Sequence, residues 1–523
     1  MYSVQLSESY FPKQEDFAVI DKTVGEILRE AATAVPDTCG LVDVLPTGET
    51  GRRWTYQEML DDSLALAHWL AARFNKGDRV AVWSPNSPEW VLFEFACGFA
   101  GLILVTVNPS YQPKELSYVL KQSGSVALFL VHEYRGNPMG EIAEKVAKDI
   151  PHLQELVYLD SILDRIKGEQ AAPSLPDVSP GDPAQIQYTS GTTGFPKGAL
   201  LHHKGMVNSA YHQQCILNML DTQARIITMM PMFHCSGCGL AVLGSVLARS
   251  TNYIVSIFIP SAVNALVERE SINMVFGVPT MLVALLEDYR QTPRDFSAMS
   301  HSGSGGAMVP PELVRRVIDT WECSFITVYG QTETSPLITM TRPLDSVETI
   351  ATTIGQPMPQ IEVAIKDTDT GAILPCGTQG EICTRGYLNM LGYHENPDAT
   401  DATIDAEGWL HTGDLGTMDE SGYLRITGRV KEMIIRGGEN LFPAEIENCL
   451  LEHPAVAEIA VVGLPDDKWG EIVGAFIRLS TDTAISPEEL SPLQGPYITA
   501  KNTVRMALCV RISADRIRQN TPF

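Results

Sequence analysis

The 523-residue sequence has little positive charge and no long uninterrupted hydrophobic run. Its 38 Lys and Arg residues are outnumbered by 63 Asp and Glu residues, so the formal charge is −25. Non-specific nucleic-acid binding and basic membrane patches both need excess positive charge, so the composition argues against either partner. The most membrane-like stretch, residues 91–107, is short for a span and contains Glu94. It predicts a buried helix followed by a buried strand.

Cysteine is no more than ordinary in number. Ten cysteines are scattered along the chain, which is typical of a reducing compartment and far from a disulfide scaffold. Cys235 and Cys238 form a C-x-x-C pair without a second pair. A zinc site would need two more ligands, of which His234 could be one. We therefore do not favour a metal or redox role for this pair.

Targeting signals are also missing from the sequence. The first residues lack an apolar segment and carry Glu8, Glu15 and Asp16, so they predict neither a signal nor a transit peptide. The chain has no terminal S-K-L. A cytoplasmic location is the default expectation, with mitochondria and peroxisomes left open.

The most informative segment that is present is YTSGTTGFPKG, residues 188–198. Its hydroxyls and bare backbone N–H groups can donate hydrogen bonds to phosphate oxygens, and Lys197 adds positive charge. Its glycines allow close backbone approach. The flanking apolar segments predict a strand before the loop and a helix after it. The loop differs from the common P-loop, because Pro196 precedes Lys197 and Gly198 follows it. The alternative, a flexible Ser/Thr/Gly linker, rarely ends in Pro-Lys-Gly between two apolar segments.

The order of the elements predicts an α/β protein. Helix-like and strand-like segments alternate from residue 54 to about 340, which indicates doubly wound parallel sheets. From about 355 to 428, short strands with frequent glycine turns indicate a small β subdomain, and a short α+β segment follows. We therefore predict a large N-terminal domain over residues 1–430 and a small C-terminal domain over residues 431–523.

Two further motifs suit a nucleotide site. YGQTE, residues 329–333, places an aromatic ring, a glycine, a hydroxyl and a carboxylate at the end of a strand-like run. GWLHTGD, residues 408–414, ends in Asp414, whose carboxylate could accept two hydrogen bonds from a ribose diol. Either motif taken alone is equally compatible with an ordinary turn.

Together these segments give the chain, from about residue 50 to 475, a strong resemblance to the adenylate-forming superfamily. Within it the chain is most similar to the medium-chain acyl-CoA ligases. The resemblance is carried by IQYTSGTTGFPKGALLHH, YGQTE, GWLHTGD and MIIRGGENLFPAEIEN. It implies ATP-dependent ligation of a carboxylic acid, such as a medium-chain fatty acid, to coenzyme A through an acyl-adenylate. It also implies Mg²⁺ as a cofactor and a small C-terminal domain that moves between the two steps.

The resemblance implies roles for individual residues. Lys197, Thr332 and Glu333 would be catalytic, and Glu333 would also hold Mg²⁺. Tyr329 would stack on adenine and Asp414 would bind the ribose. The full ATP-binding set would be Thr189, Ser190, Gly191, Thr192, Thr193, Gly194, Lys197, Gly305, Tyr329, Gly330, Thr332, Asp414 and Arg429. Contacts to the acid or to CoA would come from His234, Gly303, Gly437 and Gly438, and the hinge would lie at Lys431.

The C-terminal end departs from this family. The family closes with P-x-T-x-S-G-K, whose lysine supports adenylation, and this sequence contains no such string. Lys501 is the single lysine beyond residue 490, and its neighbours do not match. We therefore expect a C-terminal domain that is truncated or diverged after about residue 490. Two alternatives stay open: a pseudo-enzyme that binds nucleotide or CoA but adenylates poorly, and an adenylating enzyme that loads a carrier protein. The acid and the oligomeric state are not readable from the sequence.

Overall fold

The computed structural model describes residues 2–168, 174–189, 196–432, 434–436, 439–441, 443, 446–447, 450, 456–466, 470–479 and 505–508.

The described strands follow one another in chain order from the N-terminus. They are β1 (Tyr10–Phe11), β2 (Cys39–Val44), β3 (Thr50–Thr55), β4 (Arg79–Trp83), β5 (Ile103–Val107), β6 (Ala127–Leu130), β7 (Glu155–Tyr158), β8 (Pro183–Thr189), β9 (Lys197–His202), β10 (Arg225–Thr228), β11 (Thr251–Val255), β12 (Met274–Phe276), β13 (His301–Gly305), β14 (Ser324–Tyr329), β15 (Thr339–Met340), β16 (Gln356–Pro357), β17 (Ile361–Lys366), β18 (Gly380–Gly386), β19 (Gly392–Tyr393), β20 (Leu410–Met418), β21 (Leu424–Arg429), β22 (Ile434–Arg436), β23 (Glu439–Leu441), β24 (Val456–Asp466), β25 (Gly470–Leu479) and β26 (Arg505–Leu508).

The described α-helices are α1 (Val24–Ala34), α2 (Tyr56–Ala71), α3 (Pro88–Ala100), α4 (Pro113–Ser123), α5 (Met139–Ala147), α6 (Ile162–Arg165), α7 (His203–Ile216), α8 (Gly244–Leu247), α9 (Pro260–Arg269), α10 (Pro279–Gln291), α11 (Pro311–Trp321), α12 (Val347–Thr352) and α13 (Pro397–Asp401). A π-helix, Ser236–Leu243, leads directly into α8, and short 3₁₀ turns occupy Leu159–Ser161, Ile166–Gly168, Thr332–Thr334 and Val430–Glu432.

Two mainly parallel sheets form the large domain. One has seven strands in the order β19-β9-β8-β5-β4-β6-β7, with antiparallel pairs only at the β9 end. The other has nine strands in the order β16-β15-β14-β13-β12-β10-β11-β2-β3, parallel from β14 to β2. Helices connect successive parallel strands, because two parallel neighbours need a long crossover between them. The predicted doubly wound α/β class is confirmed.

Local signals in the sequence explain where several helices begin. Thr23 and Thr55 each cap a helix, and Glu26 and Glu58 three residues later complete reciprocal capping boxes at α1 and α2. Ser87 caps α3, with proline at its first turn. The interpretation of residues 91–107 as a buried helix and a buried strand is confirmed by α3 and β5, in which all but a few side-chain atoms are inaccessible.

The smaller β subdomain is an antiparallel sheet with the order β1-β17-β18-β20-β21. Its first strand comes from the N-terminus, where Tyr10 pairs with Ala364. Farther along the chain, β22 to β25 form another sheet, and β26 from the tail pairs in parallel with β25. No helix of the described residues has both the length and the hydropathy needed to cross a membrane.

One local prediction was wrong. The sequence suggested a helix directly after the phosphate loop, whereas β9 comes first and pairs with β8 in an antiparallel hairpin. Helix α7 begins only at His203. Apolar residues of KGALLH cover both faces of a buried strand, and a short buried strand cannot be told from the start of a buried helix by periodicity alone.

Candidate functional site

The segment expected to hold phosphate lies between two paired strand ends. β8 ends at Thr189 and β9 begins at Lys197, and these two residues pair across the hairpin. The hairpin therefore presents the Thr189 hydroxyl and the Lys197 ammonium side by side. The neighbouring Tyr188 hydroxyl instead donates to Gln122 Oε1 at 2.5 Å, toward α4. The intervening predicted site residues Ser190, Gly191, Thr192, Thr193 and Gly194 lie outside the described residues.

Glu333 lies opposite this hairpin, in the 3₁₀ turn that follows β14. Only 8% of its surface is exposed. Its Oε1 accepts a hydrogen bond from the Tyr393 hydroxyl at 2.7 Å and one from the Thr189 hydroxyl at 3.3 Å. The phosphate hairpin and the YGQTE turn, far apart in sequence, thus meet at one carboxylate.

Lys197 lies over the ring of Tyr393. Its ammonium nitrogen is 4.1 Å from the ring centroid, a cation–π contact. Burial lowers the pKa of Lys197, and the negative charge of Glu333 opposes that shift while the positive charge of Lys431 adds to it. Tyr393 itself stands in β19, which pairs with β9. Sequence analysis missed this residue, because nothing in the sequence indicates that β19 lies beside β9.

The carboxylate of Glu333 suits a magnesium ion. Mg²⁺ commonly takes one or two carboxylates together with water and phosphate oxygens. Both hydroxyl donors engage Oε1, and a carboxylate offers about four lone-pair positions, so acceptor capacity is left for a cation. Burial in a turn with hydroxyl neighbours also fixes the direction in which this carboxylate points.

A second polar group contains Asp414, Tyr329 and Arg429. Asp414 is 5% exposed; its Oδ2 accepts from the Tyr329 hydroxyl at 2.9 Å, and its Oδ1 is 2.8 Å from Arg429 Nε. Burial raises the pKa of Asp414, and Arg429 and the Tyr329 hydrogen bond oppose that shift. Asp414 also pairs with Arg429 in the register of β20 and β21. Three residues predicted for ATP binding are thus in direct contact.

The irregular part of β20 just before Asp414 is held by a carboxylate on the neighbouring strand β18. Glu381 on β18 accepts from the Gly413 backbone N–H at 2.9 Å through Oε1, and from His411 Nδ1 at 2.7 Å through Oε2. Gly413 has φ of 74°, a conformation that glycine adopts without strain. Glu381 raises the pKa of His411 by this hydrogen bond, against the effect of burial. Neither Glu381 nor His411 was identified from the sequence.

Three predicted glycines are explained by close packing against neighbouring residues. A Cβ at Gly305 would lie 2.6 Å from the carbonyl oxygen of Val328, and one at Gly330 would lie 1.8 Å from that of Pro336. A Cβ at Gly303 would lie 2.6 Å from a side-chain carbon of Ile326. These positions therefore exclude larger residues whether or not a ligand touches them.

His234 and the cysteine pair lie near Thr332. The side chain of His234 is exposed to solvent, yet the surrounding protein lowers the pKa of its imidazole by desolvation. Cys235 Sγ is 3.9 Å from Thr332 Oγ1. Cys238 Sγ is 3.2 Å from Gln187 Nε2 and 3.4 Å from Gln185 Oε1, within a buried polar group behind the site.

A mostly apolar cavity, partly open to solvent, begins beside this region, and the space between its walls is about 440 Å³ with the open solvent included. The π-helix that starts at Ser236 and the end of β12 at Phe276 form part of its wall. Phe276 also packs against Gly303, since a Cβ there would lie 2.9 Å from its ring. The remaining lining residues come from α7 and β10, together with Met230 and with Met274 of β12.

The predicted hinge and CoA residues lie in the C-terminal part. Lys431 is exposed in the 3₁₀ turn after β21. β22 ends at Arg436 and β23 begins at Glu439. Gly437 and Gly438 lie outside the described residues, as does most of the tail expected to be diverged.

Two protein-family models match the chain. The family described as AMP-binding enzyme matches residues 28–394, and the AMP-binding enzyme C-terminal domain matches residues 445–493. YngI of Bacillus subtilis, provisionally described as an acyl-CoA synthetase, is 38% identical over 90% of both chains. The mitochondrial medium-chain acyl-CoA ligase ACSF2 of Bos taurus is 36% identical over 92% of this chain and 83% of its own.

Solved structures share the fold of this chain. MatB from Rhodopseudomonas palustris with bound ATP superposes with a TM-score of 0.83 at 26% identity, over 94% of this chain and 96% of its own.

Proposed function

Because the chain belongs to the AMP-binding enzyme family and is an ATP-dependent acid–CoA ligase, we propose that the cleft between the β8–β9 hairpin and Glu333 is where the acid is joined to AMP. Such a ligase first forms an acyl-adenylate with release of pyrophosphate. The CoA thiol then attacks the acyl carbon and AMP leaves. The domain division at residue 430 and the residue roles below are part of this proposal.

The observation that supports this site most strongly is the meeting of Thr189, Lys197 and Glu333 around Tyr393. As the acid oxygen attacks, negative charge spreads over the α-phosphate and the departing pyrophosphate. Lys197 supplies positive charge there from a partly desolvated position, where electrostatic stabilisation is stronger than in water. Thr332 lies beside Glu333 and would donate to a phosphate oxygen.

We assign a bound magnesium ion to Glu333, where it would neutralise phosphate charge. Tyr393 and Thr189 orient that carboxylate through their hydroxyls. The hairpin amides between Thr189 and Lys197 would complete the phosphate contacts. The positive charge of Lys431 lowers the pKa of Lys197. Lys431 would also be the hinge residue about which the small domain turns.

The adenosine end would occupy the space beside Asp414. Its carboxylate keeps acceptor capacity for a ribose diol even while it binds Tyr329 and Arg429. Tyr329 would contribute the flat face against adenine. His234 and Gly303 would border the carboxyl end of the acid.

We further propose a medium-chain acid as substrate. The apolar lining of the cavity next to Phe276 suits an aliphatic chain. The related ACSF2 of Bos taurus is named a medium-chain acyl-CoA ligase. Loading of a carrier protein is the competing choice of acceptor, and replacement of CoA by a pantetheinylated carrier protein in a product assay separates the two. The cytoplasmic location stays a prediction.

Acid-dependent exchange of labelled pyrophosphate into ATP tests the site. Lys197→Ala should lose exchange by roughly 10²–10³-fold, the size of effect seen when one transition-state stabiliser is removed. Lys167→Ala is the matched control, because Lys167 is exposed and pairs with Asp164 on the surface. Equal loss in both variants, or full exchange in Lys197→Ala, would refute the assignment.

A further inference from the structure

Two buried amides in the cavity wall lack protein partners. Gln213 and Gln214 stand in the last turn of α7, each 4% exposed, and both line the cavity. In the part of the chain that the structure describes, neither side chain makes a hydrogen bond. Their amide atoms are not among the fully enclosed unpaired atoms, so they remain accessible from the cavity, where another molecule can supply the hydrogen-bond partner.

Some buried polar side chains of the same helix are bonded within the protein, whereas His203 Nε2 and Ser209 Oγ are enclosed without a partner. Asn208 Nδ2 donates to the Ile20 and Lys204 carbonyls, both at 2.8 Å. His212 bonds the Tyr387 hydroxyl and the Ala18 carbonyl. Of the three amide side chains of α7, Asn208 is bonded within the protein, whereas Gln213 and Gln214, which line the cavity, have no hydrogen-bond partner among the described residues.

These amides lie at the end of the cavity remote from the reacting groups. Cys235, just before the π-helix, contacts Thr332 at 3.9 Å. Gly244, just after the π-helix, packs against Gln214, and a Cβ on Gly244 would lie 2.7 Å from Gln214 Nε2. The length of the π-helix therefore separates Thr332 from the Gln214 amide, and the absent side chain at Gly244 leaves room for that amide.

The charge of the lining restricts what can bind there. Among the described residues that line the cavity, none is ionisable. Apolar side chains, among them Ile226, Met230 and Leu240, form the walls of the cavity. A carboxylate or ammonium group at this end would be buried without a counter-charge, which costs far more than burying a neutral hydroxyl that is hydrogen-bonded.

We propose that the acid activated by this protein carries an uncharged hydrogen-bonding group, such as a hydroxyl, oxo or amide group, near its distal end. Gln213 and Gln214 bind that group, while the apolar walls hold the chain between it and the carboxylate. This inference rests on the proposed function and refines its substrate class. It makes the two glutamines specificity-determining residues.

Matched acids test the proposal. Octanoic acid with a terminal hydroxyl and nonanoic acid have equal numbers of heavy atoms, and octanedioic acid replaces the hydroxyl-bearing carbon by a charged group. We expect kcat/KM to favour the hydroxy acid over the alkanoic acid by about 5- to 150-fold, the range that corresponds to one buried unpaired polar group. The dicarboxylic acid should be used least. Neighbouring chain lengths are compared in the same way.

Substitutions of the two glutamines then test whether these residues cause the preference for the hydroxy acid. Gln213→Leu, Gln214→Leu and the double variant should bring the hydroxy-to-alkanoic ratio close to one, with activity on nonanoic acid retained or increased. Gln57→Leu is the control, because Gln57 is exposed on α2 and bonds Asp61. The melting temperature of the cavity variants should be unchanged or higher, since they remove an unpaired buried amide.

A wild-type ratio at or below one, or a preference that survives in the double variant, would overturn the proposal and leave water as the partner of the amides. If no acid supports pyrophosphate exchange, the proposed function fails instead. In that case, calorimetry with non-hydrolysable acyl-adenylate analogues that differ only in the distal hydroxyl still decides the inference. Equal affinities of the wild type for the two analogues would refute it.

Discussion

At the scale of single residues, Glu333 is the group on which the account depends most. Glu333→Gln keeps the shape and the hydroxyl contacts but removes the charge that would bind the cation. We expect adenylation to fall by roughly 10²–10³-fold and the concentration of Mg²⁺ needed for half-maximal rate to rise. The measurement is acid-dependent pyrophosphate exchange across a magnesium titration.

Glu348→Gln provides the comparison for that experiment, since Glu348 is an exposed carboxylate paired with Arg315. Its magnesium dependence should match the wild type. An unchanged magnesium requirement in Glu333→Gln would show that the cation is held elsewhere.

Tyr393 is a second test at this scale, and one that only the structure suggests. Tyr393→Phe removes the hydroxyl that donates to Glu333 while the ring beneath Lys197 is kept. The lost hydrogen bond to a charged group is worth about 1.5–3 kcal/mol, so we expect adenylation to slow by about 10- to 150-fold. Tyr393→Leu, which removes the ring as well, should be slower still. Equal rates for wild type and Tyr393→Phe would mean that Tyr393 only fills space.

At the scale of elements, β18 and β20 hold Asp414 through the Glu381–His411 contact. The folded-state pKa of His411 is raised, chiefly by its hydrogen bond to Glu381, with Asp405 near the other ring nitrogen. The stabilisation is therefore fully present below the unfolded pKa of about 6.5 and is lost as pH rises through the folded value. The difference in unfolding free energy between wild type and His411→Gln should shrink over that window.

His203 gives a control of opposite sign. Burial lowers the pKa of His203 to about 4, so the stability of the wild type relative to His203→Gln should grow as pH rises from about 4 to 6.5. Chemical denaturation of the three proteins across pH measures both trends. A His411 difference that is flat with pH would contradict the assigned contact.

Elements differ in how far the sequence predicts them. α1, α2 and α3 carry capping residues and clear apolar patterns, so their type follows from local chemistry. β9 does not, because its six residues read equally well as the start of a helix. The contacts of Tyr393 and Glu381 depend on strands that pair over long sequence distances, which no local pattern encodes.

At the scale of the whole molecule, the two half-reactions need not be equally fast. The family resemblance implies a P-x-T-x-S-G-K motif whose lysine supports adenylation, and the given sequence contains no such string; Lys501 is its single lysine after residue 490. We expect pyrophosphate exchange to be slow compared with CoA-dependent consumption of supplied acyl-adenylate. A chimera that ends in the lysine-bearing segment of a related ligase should speed the first step by at least tenfold and leave the second nearly unchanged. Equal acceleration of both steps would contradict this expectation.

The whole account rests on an acyl-adenylate formed by this chain, and the fate of the carboxylate oxygen tests it most directly. An acid labelled with heavy oxygen in its carboxylate is converted with ATP, Mg²⁺ and CoA, and the phosphorus products are examined by mass spectrometry. The account predicts one labelled oxygen in AMP and none in pyrophosphate. Label in inorganic phosphate or ADP, or thioester formed without labelled AMP, would contradict it.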